Sequence, residues 1–499
     1  KGRVDKKQVD LRQVGARPTE WTWTSAGNVT REQLGDALII IRGQGNVAPQ
    51  VDAVVLSRAD GGAMLPEGPI LPDDARTPSA TKEIPPEAPD PSLPAVHSAL
   101  TIDWSTGIAD MPAMLWGAND YEIHQPGSAG DPGFNAFLKE MRPPIIRIHR
   151  GSFPREWLDA EQRHFDVEKI KAVFTAATGY GDTPIMLNIS SWPAWMNEPG
   201  TRFIAAEHQD AYVAMCVELL RVMRDQVGRR VEYWEILNEK EGYYHKAHRL
   251  DELWRLYNRI VDAMRAEDPT AKFGGPAFTW ANPQWVNSFV EQCLDRTDFV
   301  TYHNYGVGDI HDSNETLFSK LNTIDKHARL MRQIVDQASP DRRIPIYLSE
   351  YNVKWTWEPF ERRHANNVGA AFHAGILNRI ARAGIDGAMH WHIKGNAYGL
   401  IDADNRRRLT AELYVWGPQY LTGRLVQTTA HIDALEVMAV ERQDGTRSIL
   451  LINQANHTIV VPAPNTLLQT HSATLRQVAA EGVSQFKPNQ DDELALPGY

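Results

Sequence analysis

Two glutamates stand where a pair of carboxyls could do chemistry. Glu239 follows the run Tyr233-Trp234-Glu235-Ile236-Leu237-Asn238, and Glu350 follows Ile346-Tyr347-Leu348-Ser349. Both runs are short, mostly apolar and rich in β-branched and aromatic residues, the pattern of a buried strand. If the two strands belong to one (β/α)₈ barrel, both glutamates project from strand ends into the same mouth. Two carboxyls facing each other across an acetal carbon are what glycosidic cleavage requires. One must be protonated to assist the leaving oxygen, and the other attacks the anomeric carbon as a carboxylate. Crowding of like charges and partial burial would push one pKa up and keep the other group ionised. Retaining chemistry needs a gap of about 5–5.5 Å and inverting chemistry about 6.5–9.5 Å. One isolated glutamate is more often a solvated loop residue or half of an ion pair. A pair, each ending a strand of a complete pattern, favours catalysis.

The elements that must position this pair are legible as an alternation. Short apolar runs occur at 113–117, 144–149, 184–189, 231–237, 272–276, 299–303, 346–349 and 387–392. Helical patterns fall between them at 133–141, 167–177, 210–226, 253–266, 283–294, 317–337 and 365–383. In one of these, Leu253, Leu256, Ile260, Val261 and Met264 share a face at helical spacing. Eight strand–helix units over about 280 residues have the rhythm of an α/β fold of the TIM-barrel type. A doubly wound sheet would usually carry a Gly-rich phosphate loop after its first strand, and none is present. Four parts are expected: a β-rich, carbohydrate-binding-like segment at 1–63, a Pro-rich linker at 64–100, the barrel at 101–420, and a C-terminal β-sandwich at 421–499. The first rests on the β-like runs 37–41 and 51–56, and the second on nine prolines between 64 and 97. In the last, strand-like runs flank Arg442-Gln443-Asp444-Gly445, whose Asp-Gly is a hairpin signal.

Composition narrows the class. The chain has 499 residues, 42% hydrophobic and 23% charged, with a net charge of −11. An acidic balance argues against a nucleic-acid partner. No apolar run reaches the roughly 18 residues of a membrane span. The chain opens Lys-Gly-Arg-Val-Asp with neither Met nor an apolar signal core, so it reads as processed or trimmed. Cys216 and Cys293 lie in helical patterns and are expected as buried free thiols.

The stretch Trp234-Glu235-Ile236-Leu237-Asn238-Glu239 resembles the Asn-Glu signature of clan A glycoside hydrolases, and Leu348-Ser349-Glu350-Tyr351-Asn352 resembles their strand-seven nucleophile. Together with 147–151, 273–277 and 298–305, these stretches are most similar to glycoside hydrolase family 39. The resemblance covers about residues 113–420 and the β-rich tail. It implies a retaining, β-xylosidase-like mechanism with Glu239 as acid/base and Glu350 as nucleophile. It implies Asn238 on the sugar 2-hydroxyl, His303 and Tyr305 beside the nucleophile, and Arg147 and His149 in the floor of the non-reducing-end subsite. Arg150 stands where the family motif has Gly. A cation there would read an anionic sugar or point outward.

Aromatic rings suit the C–H faces of a pyranose. Trp192, Trp195, Trp280, Trp355, Trp357 and Trp391 all follow or end predicted strands, with Trp391 and Trp192 as the first choices for stacking. Asn188 ends strand three and is a candidate for a hydroxyl. Lys394 and Asn396 read as a solvated loop. Trp21 and Trp23 read as core of the N-terminal segment. His390 and His392 alternate on strand eight and so face opposite ways. No zinc motif is present, and His303, His311 and Asp309 make only a weak metal set. No cofactor and no metal are expected; the expected partner is an oligo- or polysaccharide. The alternatives are another clan A activity such as an arabinofuranosidase, a non-catalytic carbohydrate-binding protein, or a metal-dependent barrel hydrolase. Secretion or a periplasmic location is expected because polymeric glycans lie outside the cell.

Overall fold

The computed structural model describes residues 2–4, 7–9, 87–149, 155–469, 473–486 and 493–499. The predicted strands at 37–41 and 51–56, Trp21, Trp23, Arg150 and most of the Pro-rich stretch lie outside the described residues. Strands β1 (Gly2–Val4) and β2 (Lys7–Val9) pair antiparallel.

The eight expected barrel strands are present. They are β5 (Met114–Asp120), β6 (Ile146–Ile148), β7 (Ile185–Ile189), β8 (Tyr233–Ile236), β9 (Lys272–Phe278), β10 (Phe299–Val307), β11 (Ile346–Lys354) and β12 (Gly387–His390). All pair in parallel with their sequence neighbours, and β12 closes on β5. Parallel strands buried on both faces read as near-continuous apolar runs, which is why these segments were legible. Helices lie between the strands, and side chains fix several of their starts. Asp131, Asp166, Asn282, Ser313 and Asn366 each accept backbone N–H groups as N-caps. The predicted stripe Leu253, Leu256, Ile260, Val261 and Met264 is buried on helix Leu250–Glu267. Cys216 and Cys293 are buried free thiols, and burial pushes the Cys216 thiol up to about 12.

The barrel interior is layered. Ile145, Met186, Tyr233, Phe299, Tyr347 and Met389 form an apolar plug. One layer further toward the C-terminal strand ends the side chains turn polar: Asn119, Arg147, Asn188, Glu235, Thr301 and Ser349 are all 0% exposed. Strand register sets Asn119 beside Arg147, Asn188 beside Glu235, and His303 beside Glu350.

A second β structure is built from both sides of the barrel sequence. One sheet has the order β15 (Arg447–Asn453), β14 (Leu435–Glu441), β13 (Arg424–Ala430), β4 (Leu100–Asp110). The other has the order β17 (Leu494–Leu496), β16 (Ile459–Val461), β3 (Val96–His97). Leu100, Leu435, Val437, Ile459, Val461 and Leu467 pack together as its core. The Asp-Gly turn joins β14 to β15 as expected, with Gly445 at φ 79°. Residues 101–110, which the sequence reading gave to the barrel, instead pair along β13. The physical reason is their period. Leu100, Ile102 and Trp104 alternate with Thr101, Asp103 and Ser105, which suits an antiparallel strand with one buried face rather than a barrel strand buried on both. Among the described residues, no helix is long and apolar enough to cross a membrane.

One glycine lets β9 approach β8. Gly275 has φ +127°, and a Cβ there would sit 2.5 Å from the Ile236 carbonyl oxygen. Gly275→Ala combines a disallowed backbone with a backbone clash. A loss of about 2–4 kcal/mol is expected, read from urea unfolding followed by tryptophan fluorescence.

Candidate active site

The site is assembled where β8 ends. Leu237 (φ 72°) and Glu239 (φ 51°) both adopt left-handed backbone. Sparsely populated conformations of this kind persist where the surroundings hold them. Here the Leu237 N–H donates to the Ile189 carbonyl and the Glu239 N–H to the Ala277 carbonyl, each 3.0 Å. The chain is thereby turned off the strand with Glu239 in the barrel mouth. Its side chain is 39% exposed, whereas that of Glu350, inside β11, is 8% exposed.

Three side chains, Arg147, Tyr305 and His303, converge on the two carboxylates. Arg147 donates from one terminal nitrogen to Glu350 Oε1 at 2.7 Å and to Asn119 Oδ1 at 2.8 Å. Its Nε donates to Glu235 Oε2 at 2.6 Å, and its other terminal nitrogen to Asn238 Oδ1 at 2.8 Å. The Tyr305 hydroxyl donates to Glu350 Oε2 at 2.9 Å. His303 lies between the glutamates, with Nδ1 2.8 Å from Glu239 Oε1 and Nε2 3.5 Å from Glu350 Oε1. One oxygen of Glu239, one nitrogen of His303 and one oxygen of Glu350 all lie within 4.8 Å of one another.

The electrostatics follow from burial and pairing. Burial alone would lower the Arg147 pKa, but the charges of Glu235 and Glu350 hold it above its ordinary value. Burial and the nearby Arg147 drive His149 well below the usual imidazole range, so this ring is neutral. Burial opposes the charge on His303 as well, yet Glu350 and Glu239 outweigh it and raise its pKa. Burial would push the Glu239 carboxyl up; the hydrogen bond and charge of His303 leave it below the usual glutamate value. Burial and the Glu350 charge raise Tyr305, so it remains a donor.

The residues singled out in sequence fall into three groups. Glu239, Glu350, Asn238, His303, Tyr305 and Arg147 come together in one network. Arg147, expected as subsite floor, is 0% exposed and spends its donors on carboxylates and amides, so it lies beneath the site. Asn188 is also fully buried; its Oδ1 accepts from His149 Nδ1 at 2.7 Å, and its Nδ2 donates to Glu235 Oε2 at 2.7 Å and the Leu237 carbonyl at 2.8 Å. Trp391 and Trp192, the first choices for stacking, are largely buried. Trp391 packs on His149 and Tyr121, and Trp192 on Tyr212. The exposed rings of the mouth are Trp280, Trp355 and Trp357. Lys394 pairs with Asp131 at 2.7 Å, and Asn396 accepts the Ala403 N–H. Strand eight ends at His390, so alternation does not extend to His392. His390 sits against Asn352 and Tyr414, and His392 stacks on Tyr121.

Glu235 and Asn119 were missed. The available signal was a carboxylate in mid-strand, two residues after Tyr233 on the same face. Asp309 and His311 do not join His303; among the described residues the one cluster with metal-ligand spacing is Glu239, His303 and Glu350. Its donor set fits a cation poorly. Both oxygens of Glu350 are already engaged by Arg147 and Tyr305, so the chain itself supplies the positive charge.

A parallel barrel with a glutamate after strand four, a second in strand seven and a buried arginine between them has the architecture of the clan A glycosidases. The family model for glycosyl hydrolases family 39 matches residues 222–389, a segment running from before β8 to β12. The chain is 26% identical over 157 residues to a β-xylosidase of Geobacillus stearothermophilus, covering 30% of this chain and 28% of that one. It is 22% identical over 325 residues to an intracellular exo-α-(1→5)-L-arabinofuranosidase of Acetivibrio thermocellus, covering 54% and 59%. The chain thus spans less than two thirds of each of these curated relatives. Among solved structures, a monomeric β-xylosidase from Caulobacter crescentus has a TM-score of 0.57 at 16% identity, covering 81% of this chain and 97% of that one. A family 51 α-L-arabinofuranosidase from Bifidobacterium longum has 0.57 at 15%, covering 81% and 98%. These similarities carry the fold. The barrel is of the clan A glycosidase type, and the chain is most like family 39.

Two stability consequences follow. Arg147→Met leaves Glu235 and Glu350 without their buried cation, and a loss of about 3–5 kcal/mol is expected on denaturant unfolding. Glu241, just beyond Glu239, is buried and accepts the Thr279 N–H at 2.8 Å. Burial pushes its carboxyl up to about 7. A raised carboxyl contributes its stability below the unfolded-state value and loses it as pH rises through the folded one. The advantage of Glu241→Gln over the parent should therefore be absent below about pH 4, grow as pH rises from about 4.5 to about 7, and level off at about 3 kcal/mol above that, measured by parallel unfolding curves.

Proposed function

We propose that the protein is a retaining glycoside hydrolase, in which Glu350 attacks the anomeric carbon and Glu239 protonates the leaving oxygen. The observation that carries this reading is the closeness of the two carboxylates, with one oxygen of each within 4.8 Å. An approach this close supports the roughly 5–5.5 Å spacing of double displacement over the roughly 6.5–9.5 Å of inversion. The division of roles is supported by exposure. Glu350 is buried, and Arg147 and Tyr305 donate to its two oxygens and hold it in place. Glu239 opens to solvent, where an aglycone departs and water arrives.

In the first step the glycosidic C–O bond breaks as Glu350 bonds to C1, and the proton passes to the departing oxygen through Glu239. In the second, Glu239 takes a proton from water while that water displaces Glu350. Asn238, fixed by Arg147, is positioned for the sugar 2-hydroxyl. The exposed rings of Trp280, Trp355 and Trp357 are the stacking candidates, and Trp391 packs against Trp357. The substrate proposed is a β-xylosyl oligo- or polysaccharide. The arabinofuranosidase relative and fold neighbour favour an α-L-arabinofuranoside as the second reading. Action on polymeric glycans would place the protein outside the cytoplasm, which fractionation of the source cells would test.

Hydrolysis of a panel of aryl glycosides by the parent, Glu239→Ala and Glu350→Ala, with and without azide, tests the assignment. Glu239→Ala should lose about 10²–10⁴-fold in turnover on poor leaving groups. Azide should rescue Glu350→Ala with a glycosyl azide of inverted configuration. Near-parental turnover by either variant would sink the two-glutamate mechanism.

A further inference from the structure

The imidazole of His303 is 0% exposed and touches both glutamates. Its Nδ1 is in hydrogen-bond contact with Glu239 at 2.8 Å, and its Nε2 faces Glu350 at 3.5 Å. Strand register enforces this, since His303 lies directly beside Glu350 in the β10–β11 pair. The other charged and titratable groups packed around it are Arg147, which belongs to Glu350 and Glu235, neutral His149, and Tyr305 on Glu350 Oε2. Among the described residues no backbone carbonyl fixes the His303 tautomer; its two ring nitrogens face the two carboxylates.

We propose that His303 stores the proton that Glu239 delivers, and that formation of the Glu350–sugar bond releases it. This rests on the roles given to Glu239 and Glu350 above. Before reaction His303 is an imidazolium between two carboxylates, which accounts for its raised pKa and for the lowered one of Glu239. When Glu350 bonds to C1 its charge vanishes into the ester. One of the two anions that held the imidazolium is gone. The Nδ1 proton crosses the hydrogen bond to Glu239, and Glu239 passes it to the departing oxygen as the C–O bond breaks. Neutral His303, anionic Glu239 and the neutral ester remain. In the second step the water proton travels back through Glu239 to His303 as Glu350 is regenerated, so charge and protons balance over the cycle. His303 acts through Glu239 and is a positioning residue for the proton rather than a catalytic one.

The link is measured first without any substrate. In full-length protein with ¹⁵N-labelled histidine, the His303 resonance is identified by its absence in His303→Gln, and titrated in the parent and in Glu350→Gln. Glu350→Gln copies the loss of charge on esterification. The midpoint should drop by about one pH unit or more; an unchanged midpoint overturns the proposal. Kinetics give the second readout. With a poor leaving group, His303→Gln should move the basic limb of kcat/KM down by about one unit or more, because Glu239 alone must then hold the proton. An equal loss at every pH, with the limb unmoved, would mean that His303 only supports Glu350, and would overturn the proposal. A parent inert on every glycoside, but with the histidine midpoint shifted by Glu350→Gln, would instead reject the hydrolase reading and uphold the proton link.

Discussion

Arg147 has no surface in contact with water, yet it carries a full charge in the middle of the barrel. A buried guanidinium is tolerable only when its charge is matched and its donors are used. Here one face of the fork takes Glu235 and the other takes Glu350, with Asn119 and Asn238 accepting the remaining hydrogen bonds. The planar, rigid spread of donors suits several acceptors at fixed angles, which a lysine could not satisfy. The five residues come from β5, β6, β8, the turn after β8, and β11. Any slip of these strands would separate the charges in a low-dielectric interior, where the penalty is greatest. The network therefore ties the register of the barrel to the placement of Glu350.

The two glutamates end up in contrasting surroundings although their sequence settings look alike. Glu350 sits inside its strand, held through both oxygens. Glu239 sits beyond its strand, on left-handed backbone, with one oxygen on His303 and the side chain partly in solvent. One group is held still through both oxygens, and the other is left partly open to solvent. Contrast between neighbouring titratable groups is the usual basis for assigning acid and nucleophile.

Much of this was legible in the chain because it depends on local pattern. Apolar runs fully buried on both faces announce barrel strands, and a polar residue at the end of such a run must emerge at the mouth; that logic located Glu239 and Glu350. What lies below the mouth is harder. Sequence alternation puts Arg147 and Glu235 on the inner face but does not tell how deep the interior is filled, so Arg147 was read as floor when it is foundation. The burial of the indoles was hidden for a related reason. Trp391 is covered by His149 and Tyr121, which come from other loops, and local sequence cannot announce such convergence. Strand β4 was missed because β13, the partner along which it pairs, lies more than 300 residues away in the chain.

The pairing of β4 with β13, and of β3 with β16, makes the whole barrel an insertion between strands of one sandwich. The sandwich is thus discontinuous in the gene although continuous in space. During synthesis β4 emerges early and must wait, with Leu100 and Trp104 uncovered, until the entire barrel has left the ribosome. Pairings of such high sequence separation form late. For an engineer the consequence is that the accessory module cannot be cut away or transplanted by trimming one terminus. A clean excision needs two cuts, and the natural seam for grafting a foreign barrel runs through Asp110–Met114 on one side and Tyr420–Arg424 on the other.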